Sequence, residues 1–142
     1  MISFTLACTP PKITAQQKRV HVVNGKPVFF HGAAMRREEQ TWAALMAPHA
    51  PTEPIRGPVE LSLRLVYPHL KGARKSDRDR LLPKPSKPDL DNVCKHAIDL
   101  LSRLRFIEDD QRVAKLVIEK LYGPDSLVGI QIVIAPMGAE GE

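Results

Sequence analysis

Lys87-Pro88-Asp89-Leu90-Asp91-Asn92-Val93-Cys94-Lys95, echoed downstream by Glu108-Asp109-Asp110-Gln111, is the stretch around which the chain is organised. The segment between them reads as one amphipathic helix. Leu90, Val93, Cys94, Ala97, Ile98, Leu101 and Leu104 fall close to the i, i+3, i+4, i+7 spacing of a helix packed on a core. Pro88 disfavours a helical Lys87, so the helix is expected to begin at or just after it. Asp89 then falls at the N-cap and Asp91 in the first turn, where the helix dipole favours negative charge.

Two carboxylates two residues apart diverge inside a helix, but the N-cap residue is not yet helical, so both can turn toward one point. Lys95, four residues after Asp91, lies on the same face one turn on. Carboxylates about 4 Å apart repel by about 4 kcal/mol per pair at an effective dielectric near 20. A divalent cation with oxygen ligands is the usual partner that offsets such repulsion. The plainer alternative is a capping Asp, a solvated Asp91–Lys95–Asp99 ladder and an acidic surface loop. An EF-hand is excluded: counted from Asp89, position six is Cys94 rather than Gly and position twelve is Leu100 rather than Glu.

The whole constellation is more specific than its parts. Lys87-Pro88-Asp89-Leu90-Asp91-Asn92, then Lys95, Asp99 and Leu101, then Ile107-Glu108-Asp109-Asp110-Gln111 and Val113 resembles the RusA-type Holliday junction resolvases. The matching core covers roughly residues 87–120, with weaker similarity over the N-terminal half. The resemblance implies a RusA-like α+β fold and a Mg2+-dependent endonuclease (with Mn2+ as a substitute) acting in DNA recombination and repair. Asp89, Asp91 and Asp110 would be its acidic metal ligands and Lys95 a cation near the scissile phosphate. It also implies a homodimer on branched, four-way DNA. The chain departs from the family pattern in Leu101-Ser102-Arg103-Leu104-Arg105, which lacks the Asn or Gly expected before the acidic loop.

Charge distribution points the same way. The chain has 142 residues, enough for one domain with a single core, and its net charge is +5 from 21 Lys+Arg against 16 Asp+Glu. Residues 71–87 hold Lys71, Arg74, Lys75, Arg78, Arg80, Lys84 and Lys87 against Asp77 and Asp79, so this segment accounts for the whole excess. Basic charge gathered just before a carboxylate cluster suits a polyanion, and these seven residues are the expected DNA contacts. Cys8 and Cys94 have no zinc-ligand spacing and read as reduced, packed thiols. The N-terminus lacks the basic region of a signal peptide, and no apolar run is long enough to cross a bilayer. The expectation is a cytoplasmic protein of bacterial or phage type, with no membrane association and no small-molecule cofactor.

Ile2, Phe4 and Leu6 alternate with Ser3 and Thr5, the pattern of a half-buried strand. Asn24-Gly25 between β-prone runs over 20–30 predicts a hairpin. Residues 35–47 read as a helix with Trp42, Leu45 and Met46 facing the core. Val59–Leu65 alternates again, ending near Pro68, while 69–87 has no periodicity and predicts a flexible basic loop that orders on nucleic acid. Val113–Tyr122 is a strand, 123–126 a turn, and Val128, Ile130, Ile132 and Ile134 the inward face of a last strand, before a tail frayed from about 136. The expected architecture is α+β: a single mixed sheet of four or five strands packed by two helices, one domain over 1–142. Two rival functions fit the same residues: a metal-dependent nuclease for other branched DNA, and a non-catalytic DNA-binding accessory protein. A phosphatase of small substrates is a third, disfavoured by the basic segment.

Overall fold

The computed structural model describes residues 1–12, 18–31 and 33–138. In chain order they form β1 (Ile2–Leu6), β2 (Lys18–Val23), β3 (Lys26–His31), α1 (Ala33–Met46), β4 (Val59–Pro68), β5 (Leu82–Pro83), α2 (Leu90–Arg103), β6 (Val113–Gly123) and β7 (Gly129–Pro136). Five strands make one mixed sheet in the order β1-β7-β4-β6-β5, and β2 and β3 form a separate two-stranded hairpin. The α+β architecture of one mixed sheet packed by two helices is therefore the observed one. The hairpin turns through Asn24 (φ 50°) and Gly25 (φ 76°), the left-handed pair that a two-residue connection with right-handed strand twist requires.

Alternation decides which face is buried. On β4, Val59, Leu61, Leu63, Leu65 and Tyr67 point into the core, joined by Phe4 and Leu6 from β1 and Ile130, Ile132 and Ile134 from β7. Trp42 and Met46 from α1, and Val93, Ala97, Leu100 and Leu101 from α2, complete the same cluster. Leu45, expected to face inward, is instead 36% exposed on the outer side of α1. Tyr67 is buried with its hydroxyl donating to the Pro11 carbonyl at 2.6 Å, and burial pushes its phenol pKa well above the ordinary value.

β4 and β6 run parallel, in register from Glu60–Lys115 to Pro68–Gly123, and two parallel strands need a crossover. Residues 69–112 provide it, and α2 is its helix. Residues 69–87, expected to lack regular structure, include a 3-10 turn at Lys75–Asp77 and the short strand β5, whose Leu82 and Pro83 pair with Tyr122 and Leu121. At the other terminus Pro136 still belongs to β7 and Met137 N–H donates to the Pro58 carbonyl at 2.8 Å. The rest of the expected frayed tail, 139–142, lies outside the described residues. Among those described, no helix is long and apolar enough to cross a membrane.

Candidate metal centre and nucleic-acid interface

Asp89 stands at the N-cap of α2 in extended conformation (φ −69°, ψ 137°), and its carbonyl accepts the first helical bond from Val93 N–H at 3.1 Å. Its side chain makes no capping bond, so the carboxylate is not consumed by the helix. Asp91 follows in the first turn; both residues are exposed at the positive end of the helix dipole. Burial, and then the nearby Asp91 charge, push the Cys94 thiol pKa up and keep it protonated. Lys95 is exposed one turn beyond Asp91. Further along the helix the ion pair that forms joins Asp99 to Arg103, at 3.3 Å.

The chain enters α2 through the strap 84–88, where two prolines remove backbone donors and a cis peptide joins Lys87 to Pro88. Side chains secure the strap. Lys120 Nζ on β6 donates to the Pro88 carbonyl at 2.6 Å and to the Ser86 carbonyl. Lys84 donates its backbone N–H to the Lys120 carbonyl (3.1 Å) and its ammonium to Ser86 Oγ (2.9 Å). The same ammonium lies 4.9 and 4.8 Å from the ring centroids of Tyr67 and Tyr122, a cation–π arrangement. The hydrogen bond with Ser86 lowers the Tyr122 pKa, with Lys84 and Lys120 acting in the same direction against a smaller opposing effect of desolvation. Nothing in the sequence pattern pointed to Lys120; its role comes from a strand register that periodicity does not reveal.

Six of the seven expected DNA-contact residues (Lys71, Arg74, Lys75, Arg78, Arg80 and Lys87) are exposed. Arg80 is paired with Asp77 at 3.2 Å. Lys84 differs, being half-buried and committed to the tyrosines and Ser86. Lys71 and Arg78 line a cleft of about 370 Å³ with His69, Gly123 and Asp125, where β4 and β6 end. His69 stacks on Tyr122 (centroids 6.2 Å apart) and its Nε2 is 2.8 Å from the Arg80 carbonyl. The basic segment and the start of α2 thus share the carboxyl end of the parallel strand pair.

Asp110 is elsewhere. It opens a 3-10 turn (Asp110–Arg112) that leads directly into β6 at Val113, which is opposite Val59 at the beginning of β4. Glu108 accepts from Gly57 N–H at 2.8 Å, which fixes the acidic loop to that same end. From Val113 to Lys120 the strand advances about 23 Å at roughly 3.3 Å per residue. Lys120 is the residue bonded to Pro88, so within one chain Asp110 lies at the opposite end of the sheet from Asp89 and Asp91. Among the described residues no group of three or more His, Cys, Asp or Glu is placed to hold a metal ion. Asp109 caps the 3-10 turn, accepting from Gln111 N–H at 2.9 Å and Gln111 Nε2 at 3.1 Å, so it orders the loop; Asp110 is exposed.

Comparison with known proteins follows the same lines. A family model described as endodeoxyribonuclease RusA matches residues 9–134. The chain is similar to "Uncharacterized protein YqaN" of Bacillus subtilis (strain 168), 28% identical over 137 residues that span 92% of this chain and 94% of the relative. It is also similar to "Crossover junction endodeoxyribonuclease rusA" of Lactococcus phage r1t, 29% identical over 121 residues covering 84% of this chain and 87% of that protein.

Proposed function

This chain belongs to the RusA endodeoxyribonuclease family, and from that premise we propose that it is a Mg2+-dependent endonuclease that resolves four-way DNA junctions by hydrolysing one phosphodiester in each of two strands. The observation that carries the reading is the pair Asp89 and Asp91, exposed at the start of α2 on the end of the sheet where the basic segment lies. The donor set fits the ion. Mg2+ takes oxygen ligands, commonly one or two carboxylates completed by water and substrate phosphate, and Mn2+ accepts the same donors. When bound, such an ion supplies a water of lowered pKa and offsets charge on the phosphoryl oxygens.

The chain's own residues do the rest. Lys95 holds a positive charge one turn from Asp91, suited to a phosphate whose negative charge grows in the transition state. Asn92, half-buried and next to Asp91 in sequence, is suited to orienting a ligand carboxylate. Lys71, Arg74, Lys75, Arg78, Arg80 and Lys87 bind junction arms through phosphates, giving affinity without base reading. In this account Asp110 serves the site of a second subunit. The reading is a homodimer of two-fold symmetry, whose two sites match the two cuts a junction needs. The outer edge of β6 supports it: β5 pairs with Leu121 and Tyr122 only, and Leu116 and Val117 are 39% and 49% exposed along the remainder. We place the activity in the cytoplasm of a bacterium, on host or phage DNA.

A panel of labelled substrates tests it: a synthetic four-way junction, a flap, a fork and a plain duplex, each with and without Mg2+. Paired symmetric cuts in the junction that require Mg2+ are expected, together with a loss of about 100-fold or more in Asp91→Asn while junction binding and fold persist. Cleavage that survives in Asp91→Asn would refute the assignment of the site. Cleavage confined to flaps or forks would favour the other branched-DNA reading.

A further inference from the structure

We propose that Lys120 is a positioning residue for the carboxylate of Asp89, acting with Lys84 as a clamp on the strap that leads into α2. The inference rests on the metal-site reading above and assigns a role to residues outside it. Asp89 is oriented by the backbone it sits on, because its side chain makes no capping bond. That backbone is the strap 84–88, and two of its five residues are proline, Pro85 and Pro88, which have no N–H to anchor it. Two of its carbonyls, those of Ser86 and Pro88, accept from one ammonium, Lys120 Nζ. Pro88 is the residue immediately before Asp89.

Lys120 is well placed for the task. It sits on β6, paired in parallel register with Leu65 of the central strand β4, whose side chain is fully buried, so its backbone is anchored in the sheet. The second jaw is Lys84, whose backbone N–H bonds to the Lys120 carbonyl and whose ammonium reaches Ser86 Oγ between the Tyr67 and Tyr122 rings. Charge-assisted bonds to carbonyls are stronger than neutral ones, and two from one donor resist rotation of the strap as well as translation. The clamp therefore transmits the rigidity of the sheet to a ligand carboxylate that the helix itself leaves loose. Both lysines act behind the site, through the backbone, without touching the reacting groups.

Lys120→Met keeps most of the side-chain stem and removes the donors. Three measurements on the intact protein separate positioning from general support: Mn2+ affinity by calorimetry without DNA, hydrogen exchange of the segment 86–93, and thermal stability. The expected result is Mn2+ binding weakened about 10–100-fold, as for other groups that orient metal ligands. Faster exchange confined to 86–93 and an unchanged affinity for junction DNA in Ca2+ are expected alongside. Unchanged Mn2+ affinity in Lys120→Met would overturn the inference, even if exchange quickened, because the clamp would then be structural only. If Lys120→Met fails to fold, Lys84→Met and Lys120→Gln take its place under the same criterion. Failure of the parent reading looks different: the wild-type protein itself would neither bind Mn2+ nor cut junctions.

Discussion

At the scale of single residues, the end of α2 shows how the chain departs from a simple rule and still satisfies it. Leu104 closes the helix, and Arg105 follows in the left-handed conformation (φ 64°) usually taken by Gly. Its N–H donates to the Ser102 carbonyl at 3.1 Å and that of Phe106 to the Leu101 carbonyl at 2.9 Å, the paired bonds of a Schellman cap, with Leu101 and Phe106 both fully buried. The missing Gly or Asn is thus replaced by an arginine held in a costly backbone conformation. Arg105→Gly should raise stability by about 1 kcal/mol, read from denaturant midpoints, because glycine adopts that φ without the Cβ penalty. A decrease would mean that the Arg105 Nη1 bond to the Glu108 carbonyl, 3.1 Å, outweighs the strain. Sequence spacing located the start of α2, with Asp89 at its N-cap and Asp91 in its first turn. It did not reveal that Asp109 caps the next turn or that Lys120 holds Pro88, since both depend on which atoms meet after folding.

Among the elements, alternation was the readable signal wherever one face is buried. β1 follows it throughout, β4 and β7 follow it except at Val66 and Gly129, which are buried out of phase, and the hairpin follows from Asn24-Gly25. β5 was hidden because two residues, one of them proline, cannot express a period, and its existence depends on Tyr122 and Leu121 beside it. Gly129 gives an element-level test. Its φ is 157°, and a Cβ there would lie 2.6 Å from the Leu6 carbonyl oxygen, at the point where β7 starts to pair with β1. Gly129→Ala should cost about 1–3 kcal/mol by forcing the two strands apart; an unchanged melting temperature would show that the sheet edge yields freely. The basic segment makes its own prediction. Neutralising Lys71, Arg74, Lys75 or Arg78 singly should reduce the salt slope of junction binding by about 0.9 for each phosphate that the substitution leaves unneutralised. Lys84→Met should leave that slope unchanged, because its ammonium is taken up between two tyrosine rings. Equal effects from Lys84 and Lys71 would contradict this division of labour.

For the molecule as a whole, strand order could not be read from the chain, because the parallel pairing of β4 with β6 is set by how the crossover packs. That pairing has a functional consequence. It puts Asp89, Asp91 and the basic segment at one end of the sheet and Asp110 at the other, although the motif reads as continuous in sequence. On the proposed reading a triad so divided would be completed between subunits, and the edge of β6 left unpaired among the described residues would be the surface for the second copy. Complementation between inactive variants tests this directly. Asp91→Asn and Asp110→Asn are each expected to be inactive as homodimers. In a mixed dimer with shared sites, one site would hold both substitutions and the other neither. Co-refolding the two in equal amounts should therefore return junction nicking to about one quarter of the wild-type site count. If mixed dimers form and no activity above the parents returns, the shared site is contradicted.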